Sequence, residues 1–176
     1  MQHGKQWLKQ VPKITDLEQP LAAVCEIPAG SRCKYAIDKA TGQLQLDRVM
    51  APDCHYPTDY GFVPRTRSAD DMELDILIIS SEPLLPLCVV ECRVLGGFML
   101  GTQHEPSEPK LLAAAIKDPA LGKLTALDHV DRKLRDRIER FFTTYKQVEG
   151  IETMFEGWAD RPLAITWLER ALAAAK

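Results

Sequence analysis

Asp70-Asp71-Met72-Glu73-Leu74-Asp75 runs without a break into Ile76-Leu77-Ile78-Ile79. Carboxylates this close repel one another and resist desolvation, so a cation, a metal-bound phosphate or open solvent must relieve them. The apolar run that follows reads as a buried strand, and the acids therefore abut the core. Upstream, 21–27, 34–38 and 43–46 also read as short strands. Asp38-Lys39-Ala40-Thr41-Gly42 between the last two is a hairpin loop, with Gly42 where positive φ is needed. Downstream, 87–94 is apolar and alternating. Five or more short strands separated by turns suggest a closed sheet.

After Lys110 the expected pattern changes to helix. Leu127, Val130, Leu134, Ile138, Phe141, Phe142 and Tyr145 recur at three- and four-residue steps among Asp, Arg and Lys, which makes one apolar stripe and one solvated face. A second helix is expected from Asp160, an N-cap with Pro162 in the first turn, burying Leu163, Ile165, Leu168 and Leu172. Strands followed by helices imply the α+β class. Residues 1–20 hold Gly4, Pro12 and Pro20 and offer only Trp7, Leu8 and Ile14 for burial, so they read as an N-terminal arm. No linker or repeat divides the chain, and 1–176 is expected to be a single domain.

With 22 Lys and Arg against 25 Asp and Glu, the net charge is -3. Phosphate-backbone binding needs a positive excess that is missing here, and no aromatic platform accompanies a basic stripe; a nucleic-acid partner is not expected. The five cysteines form no CxxC pair, are odd in number and follow no secretory signal, pointing to a reducing, cytoplasmic address. The longest apolar run, near 84–90, is broken by Pro86, so a membrane span is not expected either.

Several blocks between residues 21 and 158 stand in an order that resembles the soluble family I inorganic pyrophosphatases. These are Glu26-Ile27-Pro28-Ala29 with Lys34-Tyr35, then Asp47-Arg48, then Tyr56-Pro57-Thr58-Asp59-Tyr60-Gly61-Phe62, similar to the family's YPxNYG block. The acid cluster, Lys110, Tyr145-Lys146 and Glu156-Gly157-Trp158 follow. The fold the resemblance implies is a five-stranded, OB-like closed β-barrel with two main α-helices. It further implies Mg²⁺-dependent hydrolysis of pyrophosphate to two phosphates, with Mn²⁺ as a possible substitute, and a homo-oligomer, commonly a hexamer in bacteria.

Under that resemblance, Asp70, Asp75 and Tyr60 are the catalytic residues, and Asp70, Asp75, Glu108 and Glu26 are the metal ligands. Lys34, Arg48, Tyr56, Lys110, Tyr145 and Lys146 are the substrate-binding set. The residue types suit the chemistry: a compact polyanion needs cations converging from several parts of the chain, and its hydrolysis needs metal ions bridged by carboxylates. Three positions depart from the family pattern: Met72 replaces the aspartate that orients and deprotonates the attacking water, Gln103 replaces a metal-binding aspartate, and Ala36 replaces a glutamate toward a weaker metal. Asp71, Asp59, His104 and Glu105 stand near these gaps. The departures open two outcomes: a slowed diphosphatase, or a degenerate homologue that binds a phosphorylated ligand or serves as a structural or regulatory subunit.

Overall fold

The structure, a computed structural model, describes residues 8–38 and 41–175. Trp7 of the arm and Lys39 and Ala40 of the hairpin loop lie outside the described residues. Leu8 opens a 3₁₀ turn, and Arg65 ties that turn down by donating to Val11 O at 2.6 Å and Leu8 O at 3.5 Å. Val11 is buried, and Ile14 and Leu17 pack on the core, so this stretch runs as a surface-packed arm.

The expected early strands are present as β1 (Leu21–Ile27), β2 (Cys33–Ile37) and β3 (Leu44–Val49). β2 and β3 pair as a separate hairpin, with Gly42 at φ +74° in its loop. A six-stranded sheet is built from β1, β4 (Asp59–Val63), β5 (Leu74–Ile79), β6 (Val89–Thr102), β7 (Glu108–Ala115) and β8 (Thr153–Asp160). Its pairings run β1–β4–β5–β7–β6, and β6 also meets β1, with Leu21 opposite Cys92 and Val24 opposite Val89. β8 is added beyond that circuit, along the second half of β6.

Three elements differ from the sequence-based expectation. The segment after Lys110 is strand, not helix: β7 lies parallel to β5 and antiparallel to β6, buried on both faces. Burial on both sides erases the alternation that marks a half-exposed strand, and the run Leu111-Leu112-Ala113-Ala114-Ala115 then has a helix former's composition. The long apolar stripe is divided, because Leu127 sits in a 3₁₀ turn and Val130 is extended. Helix α1 (Arg132–Thr144) starts only after Asp131, whose carboxylate accepts from Lys133 N at 2.6 Å. β8 falls between α1 and the second helix, so strands and helices are not fully segregated along the chain.

That second helix, α2 (Arg161–Ala174), begins where expected, with Asp160 accepting from Leu163 N at 3.1 Å. It buries Ala164, Leu168 and Ala171, while Leu163 is 47% exposed, contrary to expectation. Strand alternation separates two core layers. Leu74, Ile76 and Ile78 of β5 pack with Leu111 and with Leu168 of α2; Leu77 and Ile79 pack on the opposite side with Leu112, Phe98 and the α1 residues Ile138, Phe141 and Phe142. The class is α+β. Among the described residues no helix is long and apolar enough to cross a membrane.

Candidate active site

The α1-facing layer ends in a cavity of about 470 Å³. Two parallel neighbours, β5 and β7, set its floor, because their register puts Asp75 directly beside Lys110. Asp75 Oδ2 accepts from Lys110 Nζ at 2.5 Å. Burial works to lower the Lys110 pKa, but the Asp75 carboxylate outweighs it and holds the ammonium above its ordinary value. The floor therefore presents a buried lysine ion-paired to a carboxylate.

An aromatic wall surrounds this pair. Tyr56 packs against Tyr60 and Phe141, and Tyr145 stacks on Phe141 with centroids 5.4 Å apart. Burial, followed by the nearby Asp75 carboxylate, pushes the Tyr60 hydroxyl well up. Tyr56 and Tyr145 are also raised, chiefly by burial. All three are thus neutral hydroxyl donors across the physiological range.

Opposite them stand the acids. Glu108 accepts through Oε1 from Asp70 N at 3.1 Å, and burial followed by the charge of Asp70 raises its pKa. Asp70 Oδ1 turns back to accept from Met72 N at 2.9 Å. Glu26 lines the same space, with Oε1 accepting from Ile37 N at 2.9 Å. Lys34 and Lys146 complete the lining; Lys34 pairs with Asp47 at 2.8 Å, and its hydrogen bond lowers the Asp47 pKa. Of the residues singled out from sequence, Glu26, Lys34, Tyr56, Tyr60, Asp70, Asp75, Glu108, Lys110, Tyr145 and Lys146 all line this one cavity.

Arg48 and Gln103 do not line it. Arg48 Nη1 is held by Glu149 at 2.6 Å. Gln103 faces the start of β8, its Oε1 accepting from Glu152 N at 3.0 Å. Met72 and Ala36 do line the cavity, so apolar groups face it at two of the departed positions. The acids near the gaps divide. Asp71 adopts φ +66° and turns to Arg67 at 2.7 Å. Asp59 is 1% exposed and accepts through Oδ1 from Ala29 N and Leu84 N, away from the cavity. Glu105 is on the lining, 4.0 Å from Lys146. Glu73 also lines it, a group the sequence reading passed over although it stands two residues before Asp75, on the same face of an extended segment.

The donor set suits a hard cation. Asp70, Glu108, Asp75 and Glu26 offer oxygen only, and Glu108, raised by burial and then by the charge of Asp70, is a carboxyl whose charged form a divalent ion would favour. Among the described residues no three His, Cys, Asp or Glu converge on one point as a closed cage. An open wall of this kind suits a divalent ion that takes one or two carboxylates and keeps its waters.

Comparison with known proteins agrees with this geometry. The sequence profile of the family described as inorganic pyrophosphatase matches residues 23–176. An inorganic pyrophosphatase of Streptomyces coelicolor is 40% identical over 147 residues, which is 83% of this chain and 90% of that one. One from Thermus thermophilus is 34% identical over 172 residues, 96% of this chain and 98% of the other. The crystal structure of the T. thermophilus inorganic pyrophosphatase superposes with a TM-score of 0.87 at 32% identity, over 94% of this chain and 95% of that chain. A structure of inorganic pyrophosphatase from Helicobacter pylori gives 0.87 at 30% identity, over 94% and 98%.

Proposed function

Because this chain belongs to the inorganic pyrophosphatase family, we propose that its cavity binds pyrophosphate and hydrolyses it to two phosphates with Mg²⁺, at a rate lowered by the loss of the carboxylate at Met72. The observation that carries the reading is the meeting of Lys34, Lys110 and Lys146 with Asp70, Asp75 and Glu108 on one cavity. The three lysines neutralise the phosphates, and Tyr56 and Tyr145 donate to their oxygens without adding charge. Lys110 is held in place by Asp75, and Tyr60 lines the cavity beside that pair. Asp70, Asp75 and Glu108, with Glu26, are the residues that would hold Mg²⁺, or Mn²⁺ in its stead. When bound, the ion supplies charge neutralisation for the leaving phosphate and acidity for a coordinated water. Met72 accepts no proton, so the chemical step runs without a general base at that position, a loss typically worth about 10²–10⁴ in rate.

The same reading extends to the whole protein. The circuit of pairings that returns from β6 to β1 supports a five-stranded, OB-like closed barrel with β8 appended. Five free thiols support a reducing, cytoplasmic setting. Exposed Leu85, Leu87 and Val89 support assembly into a homo-oligomer, which we read as a hexamer; a monomer by light scattering at micromolar concentration would contradict this.

A second reading is favoured by Met72 itself, which lies on the cavity and is 50% exposed: the anion site is retained and turnover is lost. Phosphate release at saturating Mg²⁺ and Mn²⁺, with pyrophosphate and several nucleotides as substrates, separates the two. Slow release from pyrophosphate supports the enzyme. Calorimetric binding of pyrophosphate without release supports the degenerate homologue, and absence of both sinks the site assignment.

A further inference from the structure

Each cation assigned to the phosphates already has an acidic partner. Lys34 meets Asp47 at 2.8 Å, Lys110 meets Asp75 at 2.5 Å, Lys146 meets Glu105 at 4.0 Å and Arg48 meets Glu149 at 2.6 Å. The three lysines line the cavity regardless, whereas Arg48 does not. Its guanidinium reaches from β3 to the 3₁₀ turn Gln147–Glu149, which follows α1 and closes at Gly150 with φ +71°. Lys146 caps the start of that turn, so one short segment carries both a cavity cation and the carboxylate that holds Arg48. Arg48 lies directly opposite Lys34 in the β2–β3 pairing, and Lys34 lines the cavity, which puts Arg48 beside the cavity's edge. Its buried Nε has no hydrogen-bond partner among the described residues, so Glu149 satisfies the fork only in part.

We propose that Glu149 sets the affinity of this site for phosphate, by occupying the Arg48 guanidinium in the anion-free protein and yielding it to a phosphate oxygen when the anion binds. The inference rests on reading the cavity as a phosphate site. A guanidinium fork suits carboxylate and phosphate alike, so the two compete for one donor set. The side chains of the pair are 31% and 35% exposed, and an ion pair so open to solvent holds an equilibrium only weakly. Phosphate therefore displaces Glu149 at modest cost, and the returning carboxylate helps to expel the product. The alternative is a purely structural tie between β3 and the turn after α1. It predicts the opposite sign, because cutting a tie loosens Arg48 and weakens the anion.

Calorimetric titration of the full-length protein with inorganic phosphate tests the exchange. Glu149→Gln is expected to tighten phosphate binding by about two- to fivefold, the range over which so exposed a pair can bias an equilibrium. Glu149→Asp, which keeps the charge but shortens the reach, is expected to tighten it less, and remains informative if the Gln variant folds poorly. Arg48→Ala is expected to weaken binding, and the double variant Arg48→Ala/Glu149→Gln to match Arg48→Ala alone. Unchanged or weaker binding in Glu149→Gln overturns the proposal. So does equal tightening on the Arg48→Ala background, which would mark a general field effect. Phosphate binding that is intact but indifferent to Glu149 leaves the site reading standing and removes only the exchange; no phosphate binding in the wild type overturns both.

Discussion

Met72 puts a thioether rather than a carboxylate on the cavity that gathers Asp70, Asp75, Glu108 and the three lysines. Met72→Asp is therefore expected to raise kcat at least about tenfold while changing KM little, because the lysines and tyrosines that hold the substrate lie on other elements. Steady-state pyrophosphate hydrolysis checks this, and an unchanged kcat would mean that Glu73 or Glu105, both on the same lining, has taken the role. Asp59 carries a different prediction. Its Oδ1 accepts from two backbone N–H groups, its Oδ2 is buried without a partner among the described residues, and burial raises its pKa. A carboxyl whose folded pKa is raised favours folding below its ordinary value, and that contribution is lost as pH rises through the folded value. Asp59→Asn keeps the accepting oxygen and removes the charge, so it should be more stable than the wild type by about 1 kcal/mol at about pH 8, with the gap closing toward about pH 4. Urea midpoints at several pH values measure it, and a pH-independent gap would mean that the carboxyl does not titrate with folding.

At the scale of elements, the site depends on how closely β1 and β4 approach. A Cβ on Gly61 would lie 1.8 Å from Val24 O, a backbone atom that no rotamer can move aside. Gly61→Ala must separate the strands, and a loss of at least about 3 kcal/mol is expected. Tyr60 precedes Gly61 on β4, so hydrolysis should fall together with stability. A urea midpoint equal to the wild type's would refute the close approach. β4 was not legible as a strand in sequence, since Asp59-Tyr60-Gly61-Phe62-Val63 is too short to display a period. β7 was illegible for the reason given above: a strand with both faces covered loses its alternation.

The whole molecule gathers a cation-rich, carboxylate-lined cavity on a chain whose net charge is -3. Binding to the folded state alone stabilises it by mass action, about 2.7 kcal/mol at a hundredfold excess over Kd. Pyrophosphate together with Mg²⁺ is therefore expected to raise the Tm, and chelation of the metal by EDTA should reduce the shift. A Tm that ignores both additions would contradict an anion site held with a metal.

What the sequence alone determined is what short spacings control. β1, the hairpin with Gly42, the capped start of α2 at Asp160 and the ordered blocks that mark the family follow from residues within a few positions of one another. Tertiary structure decided which of those groups meet. The parallel register of β5 and β7 sets Asp75 beside Lys110 across 35 positions, and strand alternation turns Glu73 toward the cavity while Leu74 enters the core. Gln103 was drawn to Glu152 and Arg48 to Glu149 by partners 49 and 101 positions away in the chain. Local propensity acts between neighbours in sequence, whereas the pairing of charges at a site depends on sheet register and on the desolvation that only the closed core imposes.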